Sequence, residues 1–188
     1  MENVYDVCPQ FESDKYLLRY VSKNDADDLL KIYSDKNALP FFNSDNCDGD
    51  NFYYNTMEKI QKAIDFWIYS YENKWFVRWV IVDKEKSQVI GTIEIFQRLS
   101  DDDFNENGVL RLDLRSDYER ADIIKDILSI IIPPAYDMFN CSRISSKVPI
   151  YAVEREEAFT SYGFERTDSC LISKDGFAFY GYMTIKRK

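Results

Sequence analysis

The sequence predicts a mixed α/β sheet in one domain, and three stretches carry that prediction. In Val109–Ile132, Leu110, Leu112 and Leu114 alternate with Arg111, Asp113 and Arg115, the period of a strand. Ile123, Ile124, Ile127, Leu128, Ile131 and Ile132 then recur at three-to-four spacing, the mark of a buried helix face. WFVRWVIV at 75–82 and QVIGTIEIF at 88–96 are the strongest strand signals, and the polar DKEKS between them reads as a hairpin connection.

The elements follow in order. Residues 1–15 read as a polar, loosely held arm, and YLLRYV at 16–21 as a first strand. Ser22 to Asp25 supply capping residues for a helix carried by Ala26, Leu29, Leu30, Ile32 and Tyr33, ending near Asn37 and Pro40. The loop 43–51 holds Asp45, Asp48 and Asp50, part of a calcium-loop pattern, but the bidentate Glu at its twelfth position is missing. A second helix spans 55–72, with Met57, Ile60, Ile64, Trp67, Ile68 and Tyr71 on one side. After the hairpin come an acidic loop at 98–107 and the strand and helix of Val109–Ile132. Ser116 and Asp117 are good capping residues, and Pro133–Pro134 should break or kink the helix. Arg143–Ala152 reads as a strand, Glu154–Ser161 as a helix stopped near Gly163, and Leu171–Ile172 with Phe177–Ile185 as a closing hairpin. The order is strand, two helices, three strands, helix, strand, short helix, two strands. It fits one domain over 1–188.

Composition narrows the chemistry. Net charge is −9, which argues against nucleic-acid or anionic-membrane partners. The chain has no histidine, so a general base must be a carboxylate, a water chain or a tyrosinate. Cys8, Cys47, Cys141 and Cys170 form no CxxC pair, which points to free thiols, no metal site and a reducing, cytoplasmic compartment. The first residues lack the basic and apolar regions of a signal peptide, and no apolar run reaches the ~20 residues of a membrane span. Gly91 lies inside a strong strand, where glycine marks a bulge or a close backbone approach.

Three segments together resemble the GNAT acetyltransferase superfamily, and within it the ribosomal-protein N-terminal acetyltransferases. YLLRYVSKNDADDLLKIYSD resembles the family's opening strand and helix. WVIVDKEKSQVIGTIEIF resembles its central hairpin around Ile90-Gly91-Thr92-Ile93. AFTSYGFERTD resembles the late segment centred on Gly163-Phe164. The resemblance implies a GNAT-like single domain whose central, mostly antiparallel sheet splays at a coenzyme cleft. It also implies acetyl-CoA as co-substrate and a small-molecule or peptide amine as acceptor, in a monomer or homodimer. The coenzyme site it implies comprises Leu112, Leu114, Arg115, Ser116, Arg120, Ala121, Asp122, Ile123, Ile124 and Ala152. Strand backbone would pair with the pantetheine arm, and helix-start amides would cradle the pyrophosphate. The family's turn pattern of Gln or Arg, then two glycines, falls on Glu119, Asp122 and Ile124, and none matches. Arg120 is the one cation of that turn. Asn and Tyr are frequent in the family where Ala152 and Phe159 stand here.

Acetyl transfer to an ammonium needs a proton acceptor, and Glu94 and Asp113 are the candidates on the central strands. A structural Glu94–Arg111 salt bridge is the competing expectation. Backbone N–H groups near Leu114 would polarise the thioester oxygen. Phe41 and Phe42, just past a helix end, are candidates for the acceptor groove. The leading expectation is an acetyl-CoA-dependent N-acetyltransferase. The alternatives are a GNAT-like domain that has lost coenzyme binding and serves as an interaction module, or one that uses another acyl donor.

Overall fold

The alternating stretches pair into one eight-stranded sheet. The computed structural model describes residues 3–187. Strands β1 (Phe11–Glu12), β2 (Tyr16–Tyr20), β3 (Val77–Asp83), β4 (Gln88–Arg98), β5 (Asn107–Leu114) and β6 (Arg143–Lys147) lie side by side in chain order. β10 (Tyr182–Lys186) and β7 (Glu165–Arg166) complete the sheet, and β8 (Leu171–Ile172) pairs with β9 (Ala178–Phe179) apart from it. The pairings of the large sheet are antiparallel except β5 with β6. Helices α1 (Ala26–Tyr33) and α2 (Met57–Glu72) cover one face, and α3 (Ala121–Met138) and α4 (Val153–Tyr162) the other.

Period two explains how β5 serves both layers. Leu110, Leu112 and Leu114 pack with Ile124, Ile127 and Leu128 of α3. Arg111 and Asp113 point to the α1/α2 side, and all five are buried. Thr56 caps α2 by accepting the Lys59 N–H at 3.3 Å. Gly163, at φ +116°, ends α4 in the left-handed region glycine tolerates. Gly91 marks both a bulge and a close approach. The β3–β4 register slips at Ile90, and a side-chain carbon on Gly91 would overlap the Asp113 carbonyl and lie 2.6 Å from Leu114 Cδ2.

Four expectations need correction. The arm, within residues 3–15, is docked rather than loose. Val4 is buried, Tyr71 Oη donates to the Val4 carbonyl at 2.9 Å, and Trp79 Nε1 donates to that of Pro9 at 2.9 Å. Helix α3 runs through Pro133 and Pro134. The prolines remove two ladder donors, but Ile127, Ile131, Ile132 and Ala135 are buried around them, and that packing holds the helix. The strand at 143 stops at Lys147, before Pro149. The closing hairpin splits at Gly181, φ +87°, so Ala178–Phe179 pairs with Leu171–Ile172 while Tyr182–Lys186 enters the large sheet. Among the described residues no helix is long and apolar enough to cross a membrane.

Candidate active site

The sheet parts at its one parallel pair. β5 and β6 are in register only over Gly108–Leu110 and Ile144–Ser146. From Arg111 to Leu114, β5 keeps its β4 partner and loses β6. The Arg115 N–H donates to the Ile90 carbonyl at 3.0 Å. That bond makes Gly91–Leu114 and Ile93–Leu112 non-hydrogen-bonded pairs, so the amide groups of Leu112 and Leu114 point away from β4. The Leu112 carbonyl therefore faces the gap, and the gap leads to the first turn of α3.

Side chains of the chain itself fill this gap. Arg155 of α4 is fully buried and donates from Nη1 to the Leu112 carbonyl at 2.9 Å and to the Phe41 carbonyl at 2.9 Å. Its Nε and Nη2 reach the two Glu119 carboxylate oxygens at 2.6 and 2.7 Å. The neighbouring Glu154 accepts the Ala121 N–H, at the start of α3, at 2.7 Å. Asp35 accepts the Ser116 N–H at 2.9 Å. Burial alone would raise the Asp35 carboxyl, but hydrogen bonds from the Ser116 side chain and amide hold it below the usual range. A carboxylate at a helix N-terminus complements the dipole just as a phosphate does.

On the other side of the split, a buried charge network underlies a cavity. Arg78 of β3 donates from Nε to Glu94 Oε2 at 3.1 Å and pairs with the same oxygen through Nη2. Arg111 Nη1 donates to Glu94 Oε1 at 2.6 Å. Arg78 Nη1 and Tyr33 Oη donate to Asp113 Oδ2 at 3.1 and 2.8 Å. Burial works against the Glu94 charge, yet the Arg78 and Arg111 guanidiniums hold its carboxyl below the ordinary range. At Asp113 burial wins over Arg78 and Tyr33, and the carboxyl is raised. Burial and the Asp113 charge push the Tyr33 hydroxyl far up. Asp113 Oδ1 and Arg111 Nε are buried with no hydrogen-bond partner among the described residues. Above lies a cavity of about 410 Å³ walled by Phe52, Tyr54, Trp67 and Phe76, with Arg78, Glu94 and Arg111 at its base. The Arg78 guanidinium sits 4.5 Å from the Trp67 ring centroid.

The residues singled out in the sequence fall into three places. Glu94 and Asp113 share the network, and Glu94 does meet Arg111, but its second guanidinium is Arg78. Leu112, Leu114, Arg115, Ser116, Ala121, Ile123 and Ile124 line the run from β5 into α3, with Leu112, Leu114 and Ile124 buried. Arg120 and Asp122 are exposed and pair with each other at 3.2 Å, while Glu119 turns inward to Arg155. Ala152 is buried just before α4. The Phe41 backbone meets Arg155, and its half-buried ring packs against Tyr151. Phe42 packs against Tyr33 at 5.2 Å. The three cysteines other than buried Cys141 are half-buried, and all four are free. Among the described residues no group of three or more His, Cys, Asp or Glu side chains could hold a metal. Sequence reasoning missed Arg78, Arg155 and the hydroxyl of Tyr33. A lone arginine inside the apolar WFVRWVIV was a legible signal, whereas Arg155 in VEREEAF looks like any charged helix start.

The sequence matches no family model and no curated protein. Solved structures do match over nearly their full length. A ribosomal-protein-S5-alanine acetyltransferase from Vibrio fischeri aligns with TM-score 0.69 and 16% identity, over 95% of this chain and 96% of that one. A GNAT-family acetyltransferase from Bacillus anthracis aligns with TM-score 0.68 and 10% identity, over 95% and 98%. The microcin self-immunity acetyltransferase MccE, solved with acetyl-CoA and AMP, aligns with TM-score 0.70 and 13% identity, over 93% and 94%. The chain has the GNAT acetyltransferase fold.

Proposed function

We propose that the chain is an acetyl-CoA-dependent N-acetyltransferase acting on a primary amine, a peptide N-terminus or a small amine. The observation that carries this reading is the parting of β5 from β6 after Leu110, which turns the Leu112 carbonyl into a gap ending at the first turn of α3. A pantetheine amide suits that carbonyl, and a diphosphate suits those helix-start amides. The ring-walled cavity on the opposite side suits an amine acceptor.

In the transfer the amine nitrogen forms a bond to the acetyl carbon, the C–S bond breaks, and the thiolate leaves to be protonated. Before attack the ammonium gives up a proton. Asp113 is the better acceptor of the two carboxylates. Burial raises its carboxyl above the ordinary carboxylate range, whereas two guanidiniums hold Glu94 down and occupy both of its oxygens. Glu94 then serves to fix Arg78 and Arg111. The test is mass-spectrometric detection of acetylated product across peptide N-termini, polyamines and aminoglycoside-like amines. Acetylation that falls about 10²–10⁴-fold in Asp113→Asn supports the assignment. Acetylation of no acceptor in any of these classes overturns it.

One observation favours a second reading, an interaction module without coenzyme. Arg155 and Glu119 stand where the pantetheine would lie, and Glu154 stands on a helix-start amide. Acetyl-CoA binding separates the two readings.

A further inference from the structure

We infer that Glu119, Glu154 and Arg155 form a latch that closes the donor cleft from within and that coenzyme binding exchanges for phosphate and pantetheine contacts. The inference rests on the acetyltransferase reading. Two groups of the latch have counterparts in the coenzyme. Arg155 Nη1 takes the Leu112 carbonyl, the place of a pantetheine amide, at 2.9 Å. The Glu154 carboxylate takes the Ala121 N–H at 2.7 Å, the place of a diphosphate oxygen. Glu119, in the turn where the pattern would put Gln or Arg, supplies the carboxylate that holds Arg155 inward. The chain's own anions thus satisfy donors that an anionic ligand would otherwise meet.

The latch is built to move. Its members Glu154 and Arg155 lie in the first turn of a ten-residue helix that follows the Pro149–Ala152 turn, and Ile150, Tyr151 and Val153 there are 82%, 60% and 70% exposed. Apart from buried Ala152 and the Tyr151–Phe41 contact, the turn is held by the hydrogen bonds of Tyr151 and Arg155, which a ligand can exchange. A buried ion pair is weakly stabilising once its desolvation is counted, so an incoming diphosphate that re-pairs Arg155 has a small difference to overcome. Arg155 also holds the Phe41 carbonyl, and Tyr151 Oη donates to that of Pro40 at 2.7 Å. Release of the latch therefore frees the segment that leads to the 43–54 loop beside the acceptor cavity.

The test is calorimetric titration of acetyl-CoA into the full chain and into Glu119→Gln and Glu154→Gln, each checked by thermal melting. Hydrogen exchange of residues 119–124 and 152–162 is followed with and without acetyl-CoA. The latch predicts binding tightened about tenfold or more in Glu119→Gln and severalfold in Glu154→Gln. It also predicts that acetyl-CoA slows exchange over 119–124 and speeds it over 152–162. Binding by the variants alone supports the same conclusion. Equal affinity in all three proteins with unchanged exchange over 152–162 overturns the latch and leaves the acetyltransferase reading standing. No binding by wild type or by either folded variant removes the acetyltransferase reading, and the latch with it. Glu154 is exposed, so Glu154→Gln keeps the test decisive if Glu119→Gln fails to fold.

Discussion

The two sides of the parted sheet use the same chemistry to opposite ends. On the α1/α2 side, Arg78 is buried between Glu94 and Asp113, and a cavity of about 410 Å³ opens above it. On the α3/α4 side, Arg155 is buried against Glu119 and itself fills the space. The difference lies in what carries the arginine. Arg78 stands on the central strand β3 between buried Val77 and Trp79, so its guanidinium is a floor. Arg155 stands at the end of a short helix beside an exposed turn, so its guanidinium is a plug. Equal burial of a charged group does not imply equal rigidity.

Removing each arginine sharpens the contrast most. Arg78→Ala leaves Glu94 with Arg111 alone and Asp113 without its paired cation, and is expected to cost about 3–5 kcal/mol in denaturant unfolding. Arg155→Ala leaves Glu119 beside an exposed turn that can admit water, with an expected cost of about 1–2 kcal/mol. Equal losses would break the comparison. A smaller effect is expected from Tyr33→Phe, which removes one of the two donors to Asp113 Oδ2 and should cost about 0.5–1.5 kcal/mol without altering acetyl-CoA affinity. Lost coenzyme affinity in that variant would mean that the two sides are coupled through Asp113.

The smallest effect is a pH dependence at the turn after β5, where Asp35 accepts the Ser116 N–H. The folded Asp35 carboxyl lies below its unfolded value of about 3.9. Its contribution is therefore present above that value and is lost as pH falls through the folded one. The melting difference between Asp35→Asn and wild type should narrow as pH drops from 7 toward 3. A difference that widens on acidification would contradict the Ser116 contacts as its cause.

The layers of the fold were legible because period two and period 3.6 are local properties, and Leu110–Leu114 and Ile123–Ile132 show them cleanly. The two-residue strands β1 and β7 carry no period to read. The docked arm depends on contacts at Tyr71 and Trp79, about seventy residues away in sequence. At the site, Glu94 and Asp113 were legible as polar residues on apolar strands, and the Glu94–Arg111 meeting followed from strand pairing. Arg155 was not legible, because its partners Leu112, Glu119 and Phe41 come from three separate segments joined only by the tertiary fold. The mismatch of Glu119 with the glycine-rich turn was visible in the sequence, and the structure supplies its physical meaning. Its carboxylate faces a guanidinium rather than solvent.

The most direct measurement is a crystal structure of the chain with acetyl-CoA. The account predicts the pantetheine amide on the Leu112 carbonyl in place of Arg155 Nη1, the diphosphate at the Ala121 amide in place of Glu154, and α4 turned outward at its first turn. Acetyl-CoA bound elsewhere, with Arg155 still on Leu112 and Glu119, would contradict it.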